Sequence, residues 1–348
     1  MKGEKPLLEI RDLRVSFSTR KGKLCAVNGV SLGVNRGKTL CVVGESGSGK
    51  SVTAMSVLRL LDENASIDGG EIVFRDNGDE TDLVRLSPKA LTKVRGNRIS
   101  VIFQEPMTAL NPVLSIRRQL SEPFVLHRGY TKAQAAENAL KALRSVRIPQ
   151  AERVLKSYPH QLSGGMRQRV MIAMALACQP GLLIADEPTT ALDVTVQAQI
   201  LRLMRELQQA EGTAILFITH DLAVVNEMAD DVAVMYCGQI VERAPHKKIF
   251  GKNALSHPYT EGLMRSLPAA ANRGERLPCI QGNVPHPMHL PNGCKFAPRC
   301  DYATERCVRE EPNLFECAKG HRIRCFYPDK EQRQSDEHAK ITLRQRSD

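Results

Sequence analysis

Gly44-Glu-Ser-Gly-Ser-Gly-Lys-Ser51 follows directly on a short, mostly apolar run from Thr39 to Val43. A strand-like run, a glycine-rich loop and a Lys-Ser pair in this order form the pattern of a phosphate-binding loop, which leads from a strand into a helix. The glycines let the backbone turn tightly and direct N–H groups at phosphate oxygens. The stretch therefore predicts an α/β fold with a nucleotide site at the end of a strand. The alternative is a flexible Gly/Ser turn.

Residues of this loop are candidate ligands of ATP and Mg²⁺. We expect Lys50 to reach the β- and γ-phosphates and Ser51 to bind Mg²⁺ through its hydroxyl group. The other loop positions predicted to bind the nucleotide are Gly44, Ser46, Gly47, Ser48 and Gly49.

A second apolar run ends in two adjacent carboxylates, in Leu182-Leu-Ile-Ala-Asp-Glu187. At the tip of a buried strand, Asp186 is expected to hold the magnesium ion directly or through water, and Glu187 to accept a proton from the attacking water. The alternative is a pair of acids that only stabilises the start of a helix electrostatically. The phosphate-binding loop upstream favours the catalytic interpretation.

Hydrophobic periodicity predicts how the rest of the chain is organised. Short β-prone stretches between Leu7 and Val34 indicate a small antiparallel sheet. Nearly continuous apolar runs indicate the strands of a parallel core that is covered on both faces. These runs are Thr39 to Val43, Leu182 to Ala185 and Ala214 to Thr219. An amphipathic crossover helix is predicted over Val196 to Glu211, before Gly212. A helical subdomain is expected at about 106–161.

The sequence changes character near Leu267, where Pro, Asn, Gly and Cys become frequent and the periodicity fades. We therefore predict a nucleotide-binding domain at 1–266, a small Cys-rich C-terminal domain at 267–328 and a disordered polar tail at 329–348.

Composition and charge argue against several classes of protein. The 348 residues are 42% hydrophobic and 25% charged, as in ordinary globular proteins. The net charge of +11 forms no compact block and aromatic residues make up only 4%, so nucleic acid is not an expected partner. The charged start of the chain is unlike a secretory signal, and no run approaches the roughly 20 apolar residues that cross a bilayer. We expect a cytoplasmic protein that reaches a membrane only through partners.

Leu162-Ser-Gly-Gly-Met-Arg-Gln-Arg169 resembles the signature motif of the ABC ATPase superfamily, with Met166 where that family usually has Gln. The resemblance implies that Ser163, Gly164 and Gly165 bind the γ-phosphate of a nucleotide held by an opposite subunit. It therefore implies a dimer of ATPase subunits and the family's fold, which has a mixed sheet core, an antiparallel β subdomain and a helical subdomain.

Other residues match positions of the same family pattern. Gln104 resembles the glutamine that senses magnesium and couples to membrane subunits, and His220 resembles the histidine that contacts the γ-phosphate. Asp193 resembles the residue that links the paired sites. Phe17 lies where the family usually places an aromatic ring against adenine, although a core phenylalanine is an alternative.

The C-terminal part narrows the resemblance. His257-Pro-Tyr-Thr260, Gly282-Asn-Val-Pro285 and the stretch from Leu290 to Cys300 resemble the C-terminal region of the dipeptide/oligopeptide/nickel importer ATPases. The resemblance extends from about Leu7 to Pro328.

Four cysteines in this region are candidate metal ligands. Cys294, Cys300, Cys307 and Cys325 are separated by five, six and seventeen residues in a segment that is poor in apolar residues. Such a segment needs a stabilising cross-link, and both a 4Fe-4S cluster and tetrahedral zinc accept four thiolates. The residues alone leave cluster, zinc and free thiols open, and the family resemblance favours the cluster. Cys317 is a possible substitute for one of the four, and most other cysteines are interpreted as core residues.

The resemblance implies an ATPase that energises import of di- or oligopeptides from the cytoplasmic face of the inner membrane. Its expected partners are a second, related but non-identical ATPase subunit, two membrane permease subunits and an extracytoplasmic substrate-binding protein. Nickel or glutathione are alternative cargoes. A soluble ABC ATPase acting on nucleic acid or ribosomes and a metal-cluster regulatory protein are alternatives of other classes.

Overall fold

The computed structural model describes residues 5–76, 78–105, 109–190, 192–251, 254–267 and 278–335. Two sheets and a group of helices form these parts of the chain.

The smaller sheet is antiparallel and has the strand order β2-β1-β4-β5. Its strands are β1 (Leu8–Thr19), β2 (Gly22–Val34), β4 (Ala65–Asp76) and β5 (Asp79–Asp82). The first two strands pair from Leu8↔Val34 to Thr19↔Gly22. The antiparallel sheet predicted between Leu7 and Val34 is thus confirmed.

The larger sheet is mixed and has the strand order β11-β12-β10-β9-β3-β8-β7-β6. Its strands are β3 (Thr39–Val43), β6 (Ile99–Ile102), β7 (Leu182–Asp186), β8 (Ala214–Thr219), β9 (Asp231–Tyr236), β10 (Gln239–Pro245), β11 (Phe315–Ala318) and β12 (His321–Ile323). The strands from β9 to β6 run parallel to one another. Every residue of β3, β7 and β8 is buried, which explains their nearly continuous apolar sequences. The predicted parallel core is therefore confirmed.

Twelve α-helices occur in the described parts of the chain. They are α1 (Lys50–Ser56), α2 (Pro88–Thr92), α3 (Ile116–Arg128), α4 (Lys132–Ser145), α5 (Ala151–Lys156), α6 (Gly164–Leu176), α7 (Val194–Glu211), α8 (Leu222–Met228), α9 (His246–Phe250), α10 (Pro258–Arg265), α11 (Glu305–Arg309) and α12 (Lys330–Ser335). Helix α7 begins after its cap Asp193 and ends at Gly212, which adopts a left-handed conformation. The predicted crossover helix is thus present and starts two residues earlier.

The helical subdomain contains α3, α4 and α5, which pack with α6. Its apolar side chains join the core beneath one face of the large sheet, where Leu120, Leu143 and Ile172 are buried with Phe217. The predicted start of this subdomain, residues 106–108, lies outside the described residues.

The C-terminal region is built into the large sheet. Strand β12 pairs with β10 through Glu242↔Ile323 and Arg243↔Arg322, and β11 completes the sheet edge. The region predicted as an appended domain at 267–328 therefore shares a sheet with the predicted nucleotide-binding domain. Residues 268–277, next to the predicted boundary, lie outside the described residues.

The expected disorder of the tail at 329–348 does not apply to its first residues. Lys330–Ser335 is helical, and Arg333 is buried against Glu261 and the Tyr302 ring. Residues 336–348 lie outside the described residues. Among the helices of the described ranges, none combines the length and the apolar character needed to cross a membrane.

Candidate functional site

The phosphate-binding loop leaves β3 at Gly44 and enters α1 at Lys50. A Cβ atom on Gly44 would lie 2.1 Å from the Met235 carbonyl oxygen, so any side chain there would collide with backbone. Gly49 has φ 99°, and a Cβ atom would lie 2.5 Å from the Ala26 carbonyl oxygen. The loop is thus pressed against neighbouring strands, which explains why these positions require glycine.

Lys50 is held inside the loop. Its Nζ donates hydrogen bonds of 2.8 Å to Gly44 O and 2.9 Å to Glu45 O, and the residue is 4% exposed. Burial lowers the pKa of Lys50, while the carboxylates of Glu187 and Asp186 act in the opposite direction. A buried ammonium group is therefore available where the pattern predicts phosphate.

Ser51 and Asp186 meet across the start of α1 and the end of β7. Ser51 Oγ donates a hydrogen bond of 2.9 Å to Asp186 Oδ1. Burial raises the pKa of Asp186, because a carboxylate is poorly solvated at this depth. A hydroxyl and a carboxylate oxygen side by side are hard donors of the kind that Mg²⁺ accepts.

Three residues from separate loops converge on the Glu187 carboxylate. Gln104 Nε2 donates to Glu187 Oε2 at 3.2 Å, and His220 Nδ1 lies 3.2 Å from Oε1. Thr190 Oγ1 donates to Oε2 at 3.0 Å, a contact that the sequence analysis missed. Glu187 itself has φ 44°, a left-handed conformation that is uncommon for glutamate and often marks functional positions. The structure thus brings together Gln104, Glu187 and His220.

The signature residues lie at the start of α6. Ser163 caps α6 by accepting a hydrogen bond from Met166 N, and a Cβ atom on Gly165 would lie 2.9 Å from Val196 Cγ1 of α7. Asp193 caps α7 by accepting from Val196 N at 2.9 Å. Ser163 and Asp193 are both exposed.

The remaining predicted nucleotide ligands have mixed surroundings. Ser46 and Gly47 are exposed, whereas Ser48 is buried and its hydroxyl has no hydrogen-bond partner among the described residues. Phe17 is half-buried on β1 and pairs with Leu24 of β2. The carbonyl oxygen of Ala26, on the same strand β2, lies against Gly49. Phe17 is therefore on the pair of strands next to the phosphate-binding loop.

The four predicted cysteine ligands line one cavity in the C-terminal region. This cavity is bounded by Cys294, Cys300, Cys307 and Cys325 together with aromatic residues such as Phe296 and Tyr302. Backbone hydrogen bonds fix the cysteines locally, including Cys294 N to Cys307 O at 2.8 Å. Within the described ranges, however, no group of three or more His, Cys, Asp or Glu side chains is spaced to hold a metal ion.

Three thiols of this cavity, those of Cys294, Cys300 and Cys325, are difficult to ionise. Burial raises the pKa of Cys294 and Cys300, and raises that of Cys325 to about 12, with a further increase from the neighbouring thiols. Cys317 lies apart, half-exposed on β11. Of the remaining cysteines, Cys41, Cys178 and Cys237 are buried, whereas Cys25 and Cys279 are exposed, contrary to a core role for the last two.

The loop residue Glu45 contacts the C-terminal region, which sequence reasoning missed. Arg299 Nη1 and Nη2 donate to its two carboxylate oxygens at 2.6 and 3.0 Å, and Glu45 N donates to Tyr259 Oη at 2.8 Å. The two charged residues are 254 positions apart in sequence, and no spacing rule connects them.

Comparison with protein families gives two matches. The model described as ABC transporter matches residues 27–190, which contain the phosphate-binding loop, Gln104, the signature residues and Glu187. The model described as the C-terminal region of oligopeptide/dipeptide transporters matches residues 241–307 and includes three of the four cysteines.

Relatives and solved structures are similar over most of the chain. A putative peptide import ATP-binding protein of Brucella melitensis is 51% identical over 92% of this chain and 97% of its own length. The oligopeptide transport ATP-binding proteins AppD of Bacillus subtilis and OppD of Escherichia coli K12 are each 48% identical, over 93% of this chain and 98% and 94% of their own lengths. A dimeric bacterial ABC transporter cassette superposes with a TM-score of 0.61 at 26% identity, covering 69% of this chain and 98% of its own. The chain therefore belongs to the family of ABC transporter ATP-binding proteins that carry the oligopeptide/dipeptide C-terminal region.

Proposed function

We propose that this chain hydrolyses ATP to energise the import of peptides through a membrane ABC transporter. The observation that carries the proposal is the convergence of Gln104 and His220 on the Glu187 carboxylate, next to the buried Lys50 and the Ser51–Asp186 pair. The peptide cargo is proposed because the relatives with about 50% identity are named for peptide import.

The residues divide the chemistry between binding and proton transfer. Lys50 and the loop N–H groups bind the phosphates, and Glu187 accepts the proton of the attacking water. Gln104 and Thr190 orient one oxygen of that carboxylate, while His220 lies at the other. Magnesium, which would neutralise charge on the phosphates, fits the oxygen donors of Ser51 and Asp186, with Gln104 as a further candidate ligand.

The exposed Ser163, Gly164 and Asp193 suit a composite site shared with a second ATPase subunit. We propose a related, non-identical chain as that subunit. The complex would also contain two membrane permease subunits and an extracytoplasmic substrate-binding protein, with this chain bound peripherally at the cytoplasmic face of the membrane.

We propose that Cys294, Cys300, Cys307 and Cys325 hold a 4Fe-4S cluster in the C-terminal region at 267–328. A single zinc ion needs all its sulfur ligands at about 2.3 Å from one point, whereas four irons accept thiolates at separate corners. The shared cavity supports a common centre for the four cysteines, and the resemblance to the importer ATPases favours the cluster over zinc. A positively charged centre would favour the thiolate forms of Cys300 and Cys325, whose pKa values are raised by burial.

The test is transport by the assembled complex in vesicles. With permeases and binding protein present, labelled di- and oligopeptides should enter only with ATP, and the permeases should stimulate hydrolysis. Uptake of nickel or glutathione but not peptides would overturn the peptide assignment. Hydrolysis stimulated by nucleic acid or ribosomes but not by permeases would overturn the transport function.

A further inference from the structure

Arg299 holds the phosphate-binding loop through the side chain of Glu45. Its two terminal nitrogens donate separately to the two carboxylate oxygens, at 2.6 and 3.0 Å. The Arg299 side chain is 4% exposed and that of Glu45 31%. Bidentate geometry of this kind makes a strong and direction-specific pair, and burial shields it from salt.

Arg299 is itself fixed in place by the C-terminal region. Its Nε donates to Gln281 O at 3.2 Å, and its guanidinium lies 5.9 Å from the centre of the Tyr236 ring. The residue ends the short 3₁₀ turn Ala297–Arg299 and immediately precedes Cys300. The contact to Glu45 is therefore made from a rigid support.

The backbone of Glu45 is held from the same side. Its N–H donates to Tyr259 Oη at 2.8 Å. The centre of the Tyr259 ring lies 4.7 Å from the centre of the Tyr236 ring and 5.4 Å from that of the Phe296 ring. The carbonyl oxygen of Glu45 accepts from Lys50 Nζ at 2.9 Å. Both the main chain and the side chain of the second loop residue are thus fixed by contacts outside the loop's own turn.

We propose that Arg299 is a positioning residue of the ATP site, so that nucleotide affinity depends on the C-terminal region. It keeps Glu45 in the conformation that leaves the loop open for phosphates, and it neutralises a carboxylate that would otherwise repel the polyphosphate. This inference rests on the proposed nucleotide site at Lys50 and Ser51.

The experiment measures the KM for ATP and kcat separately in the assembled transporter. Arg299→Met should raise the KM about tenfold, equal to about 1.4 kcal/mol of binding free energy, and leave kcat at saturating ATP within about twofold. Arg299→Lys keeps the charge but loses the bidentate geometry. Its KM for ATP should lie between those of Arg299→Met and the unchanged protein. The double variant Arg299→Met/Glu45→Gln should recover most of the lost affinity because the unpaired charge is removed.

Two results would overturn the proposal. One is an unchanged KM in Arg299→Met with only kcat or yield reduced, which would make Arg299 a structural support. The other is a double variant as weak as Arg299→Met, which would exclude charge neutralisation of Glu45. Lys50→Ala tests the underlying site separately: if it binds a fluorescent ATP analogue normally, the nucleotide site itself is wrong, whatever Arg299 does.

Discussion

Nδ1 of His220 lies 3.2 Å from one carboxylate oxygen of Glu187. The other oxygen accepts hydrogen bonds from Gln104 and Thr190, so the carboxylate is oriented from two sides. The Glu187 side chain is 13% exposed, whereas that of His220 is 58% exposed. The proposed base is therefore held in a fixed direction, while the histidine remains accessible to a ligand.

The first prediction concerns Glu187 as general base. Glu187→Gln keeps the size and the hydrogen-bonding capacity of the side chain but removes its ability to take a proton. We expect ATP hydrolysis to fall at least about 100-fold, the lower end of what general-base catalysis contributes, while ATP binding persists. Phosphate release and nucleotide retention by the assembled transporter would measure the two effects.

The matched control is Glu206→Gln, which removes an acid that is 45% exposed and paired only with Arg147 among the described contacts. It should leave hydrolysis nearly unchanged, because exposed ion pairs contribute little. A Glu187→Gln transporter that hydrolyses ATP at the normal rate would exclude Glu187 as the base.

The second prediction compares two glycines of the phosphate-binding loop. Both adopt positive φ, 76° at Gly47 and 99° at Gly49, but a Cβ atom on Gly47 has nothing within 4 Å. Gly47→Ala should therefore cost only the left-handed backbone penalty of about 1 kcal/mol. Gly49→Ala adds a collision with the Ala26 carbonyl oxygen and should cost at least about twice as much. Urea unfolding of the full chain would measure both losses of unfolding free energy. Equal losses would contradict the close approach of Gly49 to the Ala26 carbonyl oxygen.

Local patterns in the sequence predicted much of the fold and the strand ends at which the proposed nucleotide site lies. The apolar run before Gly44 is the central strand β3, and the buried strand β7 ends at Asp186, directly before Glu187. The strand predictions succeeded because strand burial depends on residues that are adjacent in the chain.

Contacts between distant residues were not predictable in this way. Strand β11, Phe315-Glu-Cys-Ala318, has only exposed or half-buried residues, so it carries no apolar pattern, although it completes the large sheet. Arg299 and Glu45 meet only because this C-terminal region packs against the loop. The helix of the tail, α12, was missed for the same reason. Its sequence is polar, and Arg333 is buried there only because it contacts the distant residue Glu261.

The third prediction concerns the proposed cluster. Anaerobically purified protein should contain about four irons and matching sulfide per chain, and Cys300→Ser should lose most of them. Cys317→Ser is the matched control, since Cys317 lies on β11 away from the cavity, and it should keep its iron. Metal and sulfide analysis together with an absorption spectrum would show whether the cluster is present. One zinc per chain, or no metal in the unaltered protein, would contradict the cluster.

The fourth prediction concerns the buried pair that joins β12 to β10. His321 Nε2 lies 2.7 Å from Glu242 Oε1, and the two side chains are 0% and 1% exposed. The other oxygen of Glu242 accepts from His257 N at 2.8 Å. Removing one partner of a buried pair leaves an uncompensated polar group, so His321→Ala should destabilise the chain by about 3 kcal/mol in urea unfolding.

Two further variants separate this loss of pairing from a simple loss of packing. His321→Gln can still donate a hydrogen bond to Glu242 and should recover part of the stability, although its shape differs. Glu316→Gln changes an acid on the neighbouring strand β11 whose contact to Arg322 is 4.0 Å long and exposed, so it should have almost no effect. If His321→Ala were as mild as Glu316→Gln, the C-terminal hairpin would not depend on this pair, and backbone pairing of β12 with β10 would suffice to hold it.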